Sequence, residues 1–383
     1  MAIETLRALF GRLIGRSGAV GDAAQSADAP TPHAQLLDSV VASLPDAAIV
    51  LDRGGRVMTF NAAARTIAPA LTRGAQASLA LRVPEVVEAV RVVVATNEPR
   101  SVEFAQRVPV DRWFMAHVRP LSGEGADLIL LVFHDLTPLH RVEEMRADFV
   151  ANASHELRTP LAALSGFIDT LLGSARDDVA ARNRFLAIMK TQATRMARLI
   201  DDLLSLSRVE LIEHMHPETP VDLVSIVRQV VDGLQTLATD RNVEIAIALP
   251  AEPAIVPGDR DELTRVFENL IENALKYGAN GKRVDIGFSA ATARGGEAET
   301  LVTVRDYGPG IAAEHIPRLT ERFYRVDVTQ SRAEGGTGLG LSLVKHILNR
   351  HRGRLAIESE AGNGATFTVR LPLIHTESAA AAQ

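Results

Sequence analysis

Residues 149–164 read FVANASHELRTPLAAL and lie inside the helical stretch that decides the fold of the middle of the chain. Apolar side chains recur every three or four positions over residues 142–171. A second run places Phe185 and Leu206 in one series of seven-residue steps. The pattern predicts two antiparallel helices. Because such a hairpin leaves an apolar stripe uncovered, we expect a second copy to complete a four-helix bundle, and the chain to be a homodimer.

His155 lies on the polar side of the first predicted helix. On a helical wheel it is about 200 degrees from Ala153, the middle of the apolar stripe, so we expect it to face solvent. Glu156 is its neighbour, and Thr159 follows one turn later on the same side. A neutral imidazole beside a carboxylate is a suitable nucleophile, since the carboxylate can orient the ring and accept its proton. Taken alone, a solvent-facing His beside Glu is more often an ordinary surface residue.

The string around His155 resembles the phosphoacceptor box of histidine kinases, with the order His-Glu-x-x-Thr-Pro intact. The resemblance implies that His155 is catalytic and accepts a phosphoryl group. It also implies that Glu156 acts as general base, and that Thr159 positions water when the kinase dephosphorylates its partner.

A helix is predicted over residues 259–277, with one apolar face. Asn269, Asn273 and Lys276 cluster on a flank of this helix, within about 60 degrees of one another. The two carboxamides supply oxygens for a hard cation such as Mg²⁺, and Lys276 supplies positive charge. On this helix alone, the three residues would be interpreted as solvated polar side chains.

Two glycine-rich segments follow that helix. RDYGPGI, at residues 305–311, ends a predicted strand in a tight turn that lets the backbone approach a ligand. EGGTGLGL, at residues 334–341, precedes a predicted helix, whose free N–H groups can hold phosphate oxygens. Neither segment fits the motif of P-loop enzymes or of dinucleotide-binding domains. The segments therefore indicate a nucleotide site of another kind.

In order and spacing, residues 269–278, 306–311, 321–327 and 335–341 resemble the N, G1, F and G2 boxes of the histidine-kinase ATPase domain, which has the GHKL (Bergerat) fold. The resemblance implies ATP as the bound nucleotide and Mg²⁺ as its metal, with Asn273 as the metal ligand. The nucleotide-binding residues that it implies are Asn269, Asn273, Lys276, Tyr277, Asp306, Gly308, Gly310, Arg322, Arg325, Gly336, Thr337, Gly338, Leu339 and Gly340.

The resemblance also implies a role for several of these side chains. Asp306 would accept a hydrogen bond from the amino group of adenine. Arg322 and Arg325 would meet phosphate oxygens. The glycines would shape a hinge and lid that close over ATP, in keeping with lids being drawn from mobile loops.

Upstream of the hairpin, the sequence predicts a small α+β domain. Residues 46–64 read DAAIVLDRGGRVMTFNAAA and predict a strand, a Gly-Gly turn and a second strand. This pattern, with Asn61, resembles a PAS sensory domain.

The expected fold class is multidomain α+β: a PAS-like α/β sensor, an antiparallel helical hairpin that forms the dimeric four-helix bundle, and a GHKL α/β sandwich. The predicted parts are an N-terminal helix and flexible linker over 1–34, the PAS-like domain over 35–138, the dimerisation and histidine phosphotransfer domain over 139–213, the catalytic domain over 214–374 and a tail over 375–383.

Composition excludes several classes of protein. The 383 residues include 41 Lys and Arg against 47 Asp and Glu, a net charge of −6, without the basic patch of a nucleic-acid binder. There is no cysteine, which excludes disulfides and thiolate sites. No stretch approaches the roughly 20 apolar residues of a membrane span. We expect a cytoplasmic protein, with peripheral contact at the inner membrane through the amphipathic residues 1–16 as the alternative.

Residues 140–373 together resemble a sensor histidine kinase, and residues 321–372 look especially like phosphate-regulon sensor kinases. The resemblance implies autophosphorylation of His155, transfer to an aspartate of a response regulator receiver domain, phosphatase activity, and a role in phosphate-starvation signalling with phosphate-transport or regulatory proteins as partners. Two alternatives are another GHKL-type ATPase and an ATP-binding scaffold without turnover. The sequence around His155 argues against another GHKL-type ATPase, which would not need it. Only an activity assay distinguishes an ATP-binding scaffold from an active kinase.

Overall fold

The computed structural model describes residues 32–107, 111–123, 126–173, 175–292, 296–327, 331 and 335–374. They fall into two compact units divided between Ala147 and Asp148. The predicted N-terminal helix, almost all of the predicted linker and the tail lie outside the described residues, and so does the segment predicted to contact a membrane. Within the described ranges, no helix is both long and apolar enough to cross a membrane.

The first unit is built on an antiparallel sheet of five strands in the order β2-β1-β5-β4-β3. Four helices precede or interrupt it, and a long helix follows it. The elements are α1 (Pro32–Ser43), β1 (Ala47–Asp52), β2 (Val57–Phe60), α2 (Ala64–Ile67), α3 (Ala77–Leu81), α4 (Pro84–Thr96), β3 (Arg100–Gln106), β4 (Arg112–Gly123), β5 (Ala126–Asp135) and α5 (Thr137–Leu172).

Strand β1 reads as a continuous apolar run because both of its faces are covered. Ile49 and Leu51 pack into the main core of the unit. Ala48 and Val50 face the opposite side and pack with Val41 of α1. An amphipathic strand with one solvated face would instead alternate apolar and polar residues.

Asn61, the residue that carried the PAS-like pattern, is a buried connector. Its Oδ1 accepts hydrogen bonds from the backbone N–H groups of Ala48 and Ala64, both at 3.0 Å. Its Nδ2 donates to the carbonyl oxygen of Asp46 at 2.7 Å. The Asn61 side chain therefore holds the start of β1 against the start of α2. Its buried oxygen and nitrogen atoms both have hydrogen-bond partners.

The predicted hairpin is formed by α5 and by α6 (Val179–Leu211). Helix α6 begins at Asp178, whose Oδ1 accepts from the N–H of Ala181 at 2.9 Å. Helix α5 continues through Pro160. The predicted stripe is largely uncovered in the single chain: the side chains of Leu161 and Ile168 are 54% and 45% exposed. Exposure of this kind is what a second copy would remove.

The rest of the second unit is an α/β sandwich. Its sheet has the order β11-β12-β10-β9-β7, with β7 and β9 parallel and the other pairs antiparallel. One face of the sheet packs against helices, and a pair of short strands, β6 and β8, lies beside them. The elements are β6 (Pro220–Asp222), α7 (Leu223–Asp240), β7 (Glu244–Ala248), β8 (Ile255–Pro257), α8 (Arg260–Tyr277), β9 (Arg283–Thr292), β10 (Ala298–Asp306), α9 (Gly340–Arg350), β11 (Arg354–Ser359) and β12 (Ala365–Pro372).

A single apolar core joins this sandwich to the hairpin. Phe267 and Leu270 of α8 pack with Val302 of β10, and the same cluster includes Leu199 and Leu206 of α6. The helix predicted over residues 259–277, the strand predicted before the turn at 305–311 and the helix predicted after the glycine-rich segment are present as α8, β10 and α9. Helix α7 was not among the predicted elements. Its start is capped by Asp222, whose carboxylate accepts from the N–H groups of the first turn.

Candidate active site

A cavity of about 590 Å³ opens between α8, the turn after β10, the glycine-rich loop before α9 and helix α6. The volume is in the range of small-molecule sites. It brings together most of the residues that the sequence assigned to the nucleotide. Those that line it are Asn269, Asn273, Lys276, Tyr277, Asp306, Gly310, Arg325, Gly336, Thr337, Gly338 and Gly340.

Three predicted nucleotide-binding residues do not line the cavity. Arg322 points instead to α6, where its Nη2 contacts Oε1 of Glu210 at 2.5 Å. Leu339 is fully buried in the apolar core. At Gly308, a Cβ would come within 2.7 Å of the Cα of Gly278, so the position needs glycine for close packing. In this structure Leu339 and Gly308 take part in packing and Arg322 contacts α6, and their roles toward the nucleotide stay predictions.

Asp306 lies at the end of β10 and is 6% exposed. Its Oδ1 accepts from the N–H of Gly308 at 2.9 Å and from the N–H of Ala365 at 3.3 Å. Burial raises the pKa of the Asp306 carboxyl, and these two backbone donors partly oppose the rise. A buried acceptor held by the backbone on one side can accept a hydrogen bond from a ligand amino group on the other.

The polar flank of α8 forms one wall. Nδ2 of Asn269 donates to the carbonyl oxygen of Arg265 at 2.8 Å, so the carboxamide oxygen of Asn269 points away from that bond. Lys276 pairs with Glu272 at 2.7 Å. The hydroxyl of Tyr277 lies 3.1 Å from Oγ of Ser331. The flank therefore offers carboxamide and carboxylate oxygens beside a cation.

This donor set fits Mg²⁺ held jointly with a nucleotide. Magnesium prefers oxygen ligands and is usually bound by one or two side chains plus substrate phosphates. Among the residues that the structure describes, no group of three or more His, Asp or Glu side chains forms a metal site. A single carboxamide such as that of Asn273 agrees with the sparse protein coordination that Mg²⁺–nucleotide sites use.

The glycine-rich loop contacts the backbone of Phe323 through Gly338. Gly338 has φ of +74°, and a Cβ there would lie 2.9 Å from the backbone of Phe323. Its carbonyl oxygen accepts from the N–H of Phe323 at 2.8 Å. Only glycine combines this positive φ with so close an approach. The loop leads into α9, whose first residues Gly340 and Leu341 line the cavity, and the N–H groups at a helix start can hold phosphate oxygens.

His155 is exposed on α5, as the helical wheel indicated. Glu156 is half-buried, and its Oε2 accepts from Nη2 of Arg195 on α6 and from Nη2 of Arg325, both at 3.0 Å. The hydroxyl of Thr159 donates to the carbonyl oxygen of His155 at 3.2 Å. Arg325 also lines the cavity. One guanidinium therefore joins the cavity to the residue beside His155.

Sequence reasoning missed the residues of α6 that reach this site. Arg195 contacts Glu156, and Asp202 lines the cavity while contacting Arg265 and Thr337. The sequence of α6 does contain a pattern that could have identified Asp202. Leu199, Asp202, Leu206 and Val209 follow one helical face and are all buried, so a carboxylate occupies a position in an apolar stripe.

Comparison with known proteins supports the geometry. Residues 145–211 match the His Kinase A (phospho-acceptor) domain, residues 258–375 match the histidine kinase-, DNA gyrase B- and HSP90-like ATPase family, and residues 41–141 match the PAS fold. The phosphate regulon sensor protein PhoR of Pseudomonas aeruginosa is 37% identical over 340 residues, which are 85% of this chain and 72% of PhoR. The chain belongs to the sensor histidine kinases.

Other relatives of this sensor histidine kinase align over a smaller part of their length. The sensor-like histidine kinase SenX3 of Mycobacterium bovis is 37% identical over 67% of this chain and 61% of SenX3. The sensor histidine kinase WalK of Bacillus subtilis is 34% identical over 64% of this chain and 40% of WalK. A solved structure of histidine kinase ThkA in complex with response regulator protein TrrA is 21% identical, covers 88% of this chain and 98% of that one, and has a TM-score of 0.45.

Family membership confirms three of the predictions. The fold class is the predicted combination of PAS, helical hairpin and GHKL sandwich. The enzyme class is a protein-histidine kinase, which is favoured over another type of GHKL ATPase. The nucleotide of the ATPase domain is ATP. Histidine kinases dimerise through the His Kinase A domain and act on response regulators. The exact domain boundaries and the roles of single residues stay predictions.

Proposed function

We propose that this sensor histidine kinase transfers the γ-phosphoryl group of ATP to His155, and from there to an aspartate of a response regulator receiver domain. The observation that carries the proposal is the position of Arg325. Its side chain is 5% exposed, lines the nucleotide cavity and pairs with Glu156, the residue next to His155. A cation shared by the ATP site and the phosphoacceptor box can stabilise the charge that develops on the phosphoryl group during transfer between them.

The first step is attack of a ring nitrogen of His155 on the γ-phosphorus. A nitrogen–phosphorus bond forms, the bond from the γ-phosphorus to the bridging oxygen breaks, and ADP leaves with the electron pair. Glu156 accepts the proton of the attacking imidazole. Arg325 turns from Glu156 to the phosphate oxygens, where it offsets negative charge. That turn also frees part of the Glu156 carboxylate to act as a base.

The cavity residues bind and orient the nucleotide. Asp306 accepts from the adenine amino group, and the N–H groups at the start of α9 hold phosphate oxygens. Lys276 adds positive charge once it exchanges Glu272 for phosphate. The carboxamide oxygen of Asn273 would hold Mg²⁺, which would supply positive charge to offset that of the phosphates.

The same chain is proposed to reverse the signal. Thr159, one turn from His155, positions water for hydrolysis of the phosphoaspartate of the regulator. Two copies pair through the uncovered stripe of α5 and α6. The relation to PhoR supports phosphate supply as the input, with phosphate-transport or regulatory proteins as further partners.

Asn273→Ala tests the ATP site. The non-hydrolysable analogue AMPPNP is titrated into the full chain by calorimetry with and without Mg²⁺. Wild type is expected to bind AMPPNP more tightly with Mg²⁺ than without it. In Asn273→Ala, the increase in affinity that Mg²⁺ causes should be at least about tenfold smaller, because loss of even an outer-shell partner of a metal lowers metal affinity by that factor. Asn280→Ala, at an exposed position three residues after Tyr277, is the matched control. Equal Mg²⁺ dependence in wild type and Asn273→Ala would contradict the metal assignment.

A further inference from the structure

Asp202 is a buried carboxylate of the hairpin that reaches the ATPase domain. It lies on α6, in an otherwise apolar face with Leu199 and Leu206, and is 9% exposed. A buried carboxylate is costly unless its oxygens are paired. The contacts of its two oxygens therefore show why it is there.

Both oxygens of Asp202 contact residues of the nucleotide site. Oδ1 accepts from Nη2 of Arg265 on α8 at 2.9 Å, and Oδ2 accepts from the hydroxyl of Thr337 at 2.8 Å. Thr337 belongs to the glycine-rich loop and is 8% exposed. Its Oγ1 also accepts from the N–H of Leu339 at 3.3 Å, just before α9 begins.

Arg265 connects the same cluster to the polar flank of α8. Its Nη1 donates to Oγ of Ser205 at 2.6 Å, one turn along α6 from Asp202. Its carbonyl oxygen accepts from Nδ2 of Asn269, a predicted nucleotide-binding residue. Asp202 thus holds two walls of the cavity at once: the glycine-rich loop through Thr337 and the α8 flank through Arg265.

We propose that Asp202 is a positioning residue for ATP, contributed by the hairpin, which fixes the glycine-rich loop in its nucleotide-binding position through Thr337. This inference rests on the ATP site proposed above. The hydroxyl of Thr337 is buried, so loss of Asp202 leaves a donor without its charged acceptor and frees the loop. ATP then has to order the loop when it binds, which lowers its affinity.

The coupling is reciprocal. If Asp202 lets the conformation of α6 change the affinity for ATP, then ATP must stabilise α6 in this conformation by the same factor. Occupancy of the nucleotide site is then transmitted to the phosphotransfer helices through a contact between Asp202 and Thr337 that does not include His155, Glu156 or Arg325.

The test measures AMPPNP affinity by calorimetry and the kinetics of autophosphorylation, with the full-length chain. Asp202→Ala is expected to raise the Kd for AMPPNP and the KM for ATP about tenfold, the scale of one charge-assisted hydrogen bond. The kcat value changes by less than about threefold, because binding rather than chemistry is affected. Thr337→Val is expected to show a similar loss of affinity. The double variant is expected to lose no more affinity than Asp202→Ala, because Thr337→Val removes only a hydrogen bond that Asp202→Ala already removes.

Asp201→Ala is the matched control, since it removes the adjacent carboxylate from the exposed side of α6. If Asp202→Ala does not fold, Asp202→Asn replaces it, and loss of the charged acceptor is expected to raise the Kd about threefold. Hydrogen exchange gives the second measurement: AMPPNP slows exchange of amides 199–206 in wild type, and this slowing disappears in the Asp202 variant.

A folded Asp202 variant that binds AMPPNP within about twofold of wild type overturns the inference while leaving the proposed function intact. A lower kcat with an unchanged KM overturns it as well, since that pattern indicates a smaller active fraction rather than a weakened nucleotide site. Wild type that fails to bind AMPPNP overturns both the proposed ATP site and this inference.

Discussion

Arg325 of the loop after β10 and Glu156 of α5 form an ion pair with 3.0 Å between Nη2 and Oε2. Arg195 of α6 approaches the same oxygen at 3.0 Å. Among the residues that the structure describes, one guanidinium group from the hairpin and one from the nucleotide site therefore hold the carboxylate that follows the phosphoacceptor. Because both guanidinium groups contact the same oxygen of Glu156, we expect Arg325 to leave it for phosphate before that oxygen can accept the proton of His155.

Glu156→Gln is expected to slow autophosphorylation by about 10²- to 10⁴-fold, the range for loss of a general base. AMPPNP affinity should not fall, since Glu156 does not line the cavity and its replacement leaves Arg325 available to phosphate oxygens. The measurement is the initial rate of acid-labile labelling, with calorimetry for binding. Glu144→Gln, at an exposed position on the same helix, should leave the rate unchanged. A Glu156→Gln variant as fast as wild type would remove the base from the mechanism.

Thr159→Ala is expected to separate the two activities. Dephosphorylation of a phosphorylated receiver domain should fall at least about tenfold, because the water loses its positioning group. Autophosphorylation should stay within about twofold of wild type. Thr170→Ala is a close structural control, since the hydroxyl of Thr170 donates to the carbonyl oxygen of Gly166 four residues earlier, as that of Thr159 does to His155. Equal phosphatase rates in both variants would exclude Thr159 from the reaction.

Ile168→Glu is expected to convert the dimer to monomer. Ile168 belongs to the uncovered stripe of α5, and burying a carboxylate there should raise the dimer dissociation constant at least about a hundredfold. Light scattering at micromolar concentration measures the change. Leu79→Glu is the control, because Leu79 is 72% exposed on α3 and lies outside the stripe. Wild type that is already monomeric, or a variant that stays dimeric, would contradict the predicted bundle.

Acid is expected to destabilise the second unit through His351. Its ring is buried, with Nε2 accepting from the N–H of Asp259 and Nδ1 bonded to the carbonyl oxygen of Ile347. Burial lowers the pKa of His351 below its ordinary value of 6.5. Since the unfolded chain takes up the proton first, the stability that neutral His351 contributes is present above pH 6.5 and is lost as pH falls toward the folded-state pKa.

The expected slope from this one group approaches about 1.4 kcal/mol per pH unit. Urea unfolding of wild type, His351→Gln and the exposed control His214→Gln at pH 7 and pH 5.5 measures it. His351→Gln should be less stable than wild type at pH 7 but lose less stability on acidification, whereas His214→Gln should follow wild type. Parallel pH profiles for His351→Gln and wild type would show that His351 does not control this dependence.

The sequence predicted the parts of the site that depend on local pattern. The flank with Asn269 and Asn273, the turn at Asp306 and the glycine-rich loop each lie within one short segment, and the cavity brings them together. Contacts between distant segments were not predictable in this way. Asp202 and Thr337 are 135 positions apart, and Glu156 and Arg325 are 169 apart, so no periodicity relates them.

Arg322 has a contact between distant segments that its position in the sequence did not predict. Its position in the F-box segment predicted contact with phosphate. In the structure, where the sandwich packs against α6, its guanidinium group contacts Glu210 and lies over the ring of Phe149. Packing between the hairpin and the catalytic domain decided which arginine of this segment lines the cavity. That packing depends on tertiary structure, not on the spacing of residues along the chain.

The most direct test of the account is labelling of the full-length protein with γ-labelled ATP and Mg²⁺, beside His155→Ala and the exposed control His214→Ala. Because phosphohistidine is acid-labile and alkali-stable, we expect label of that stability on wild type and His214→Ala and none on His155→Ala. Label that survives in His155→Ala, or its absence from folded, dimeric wild type, would contradict the claim that this kinase phosphorylates His155.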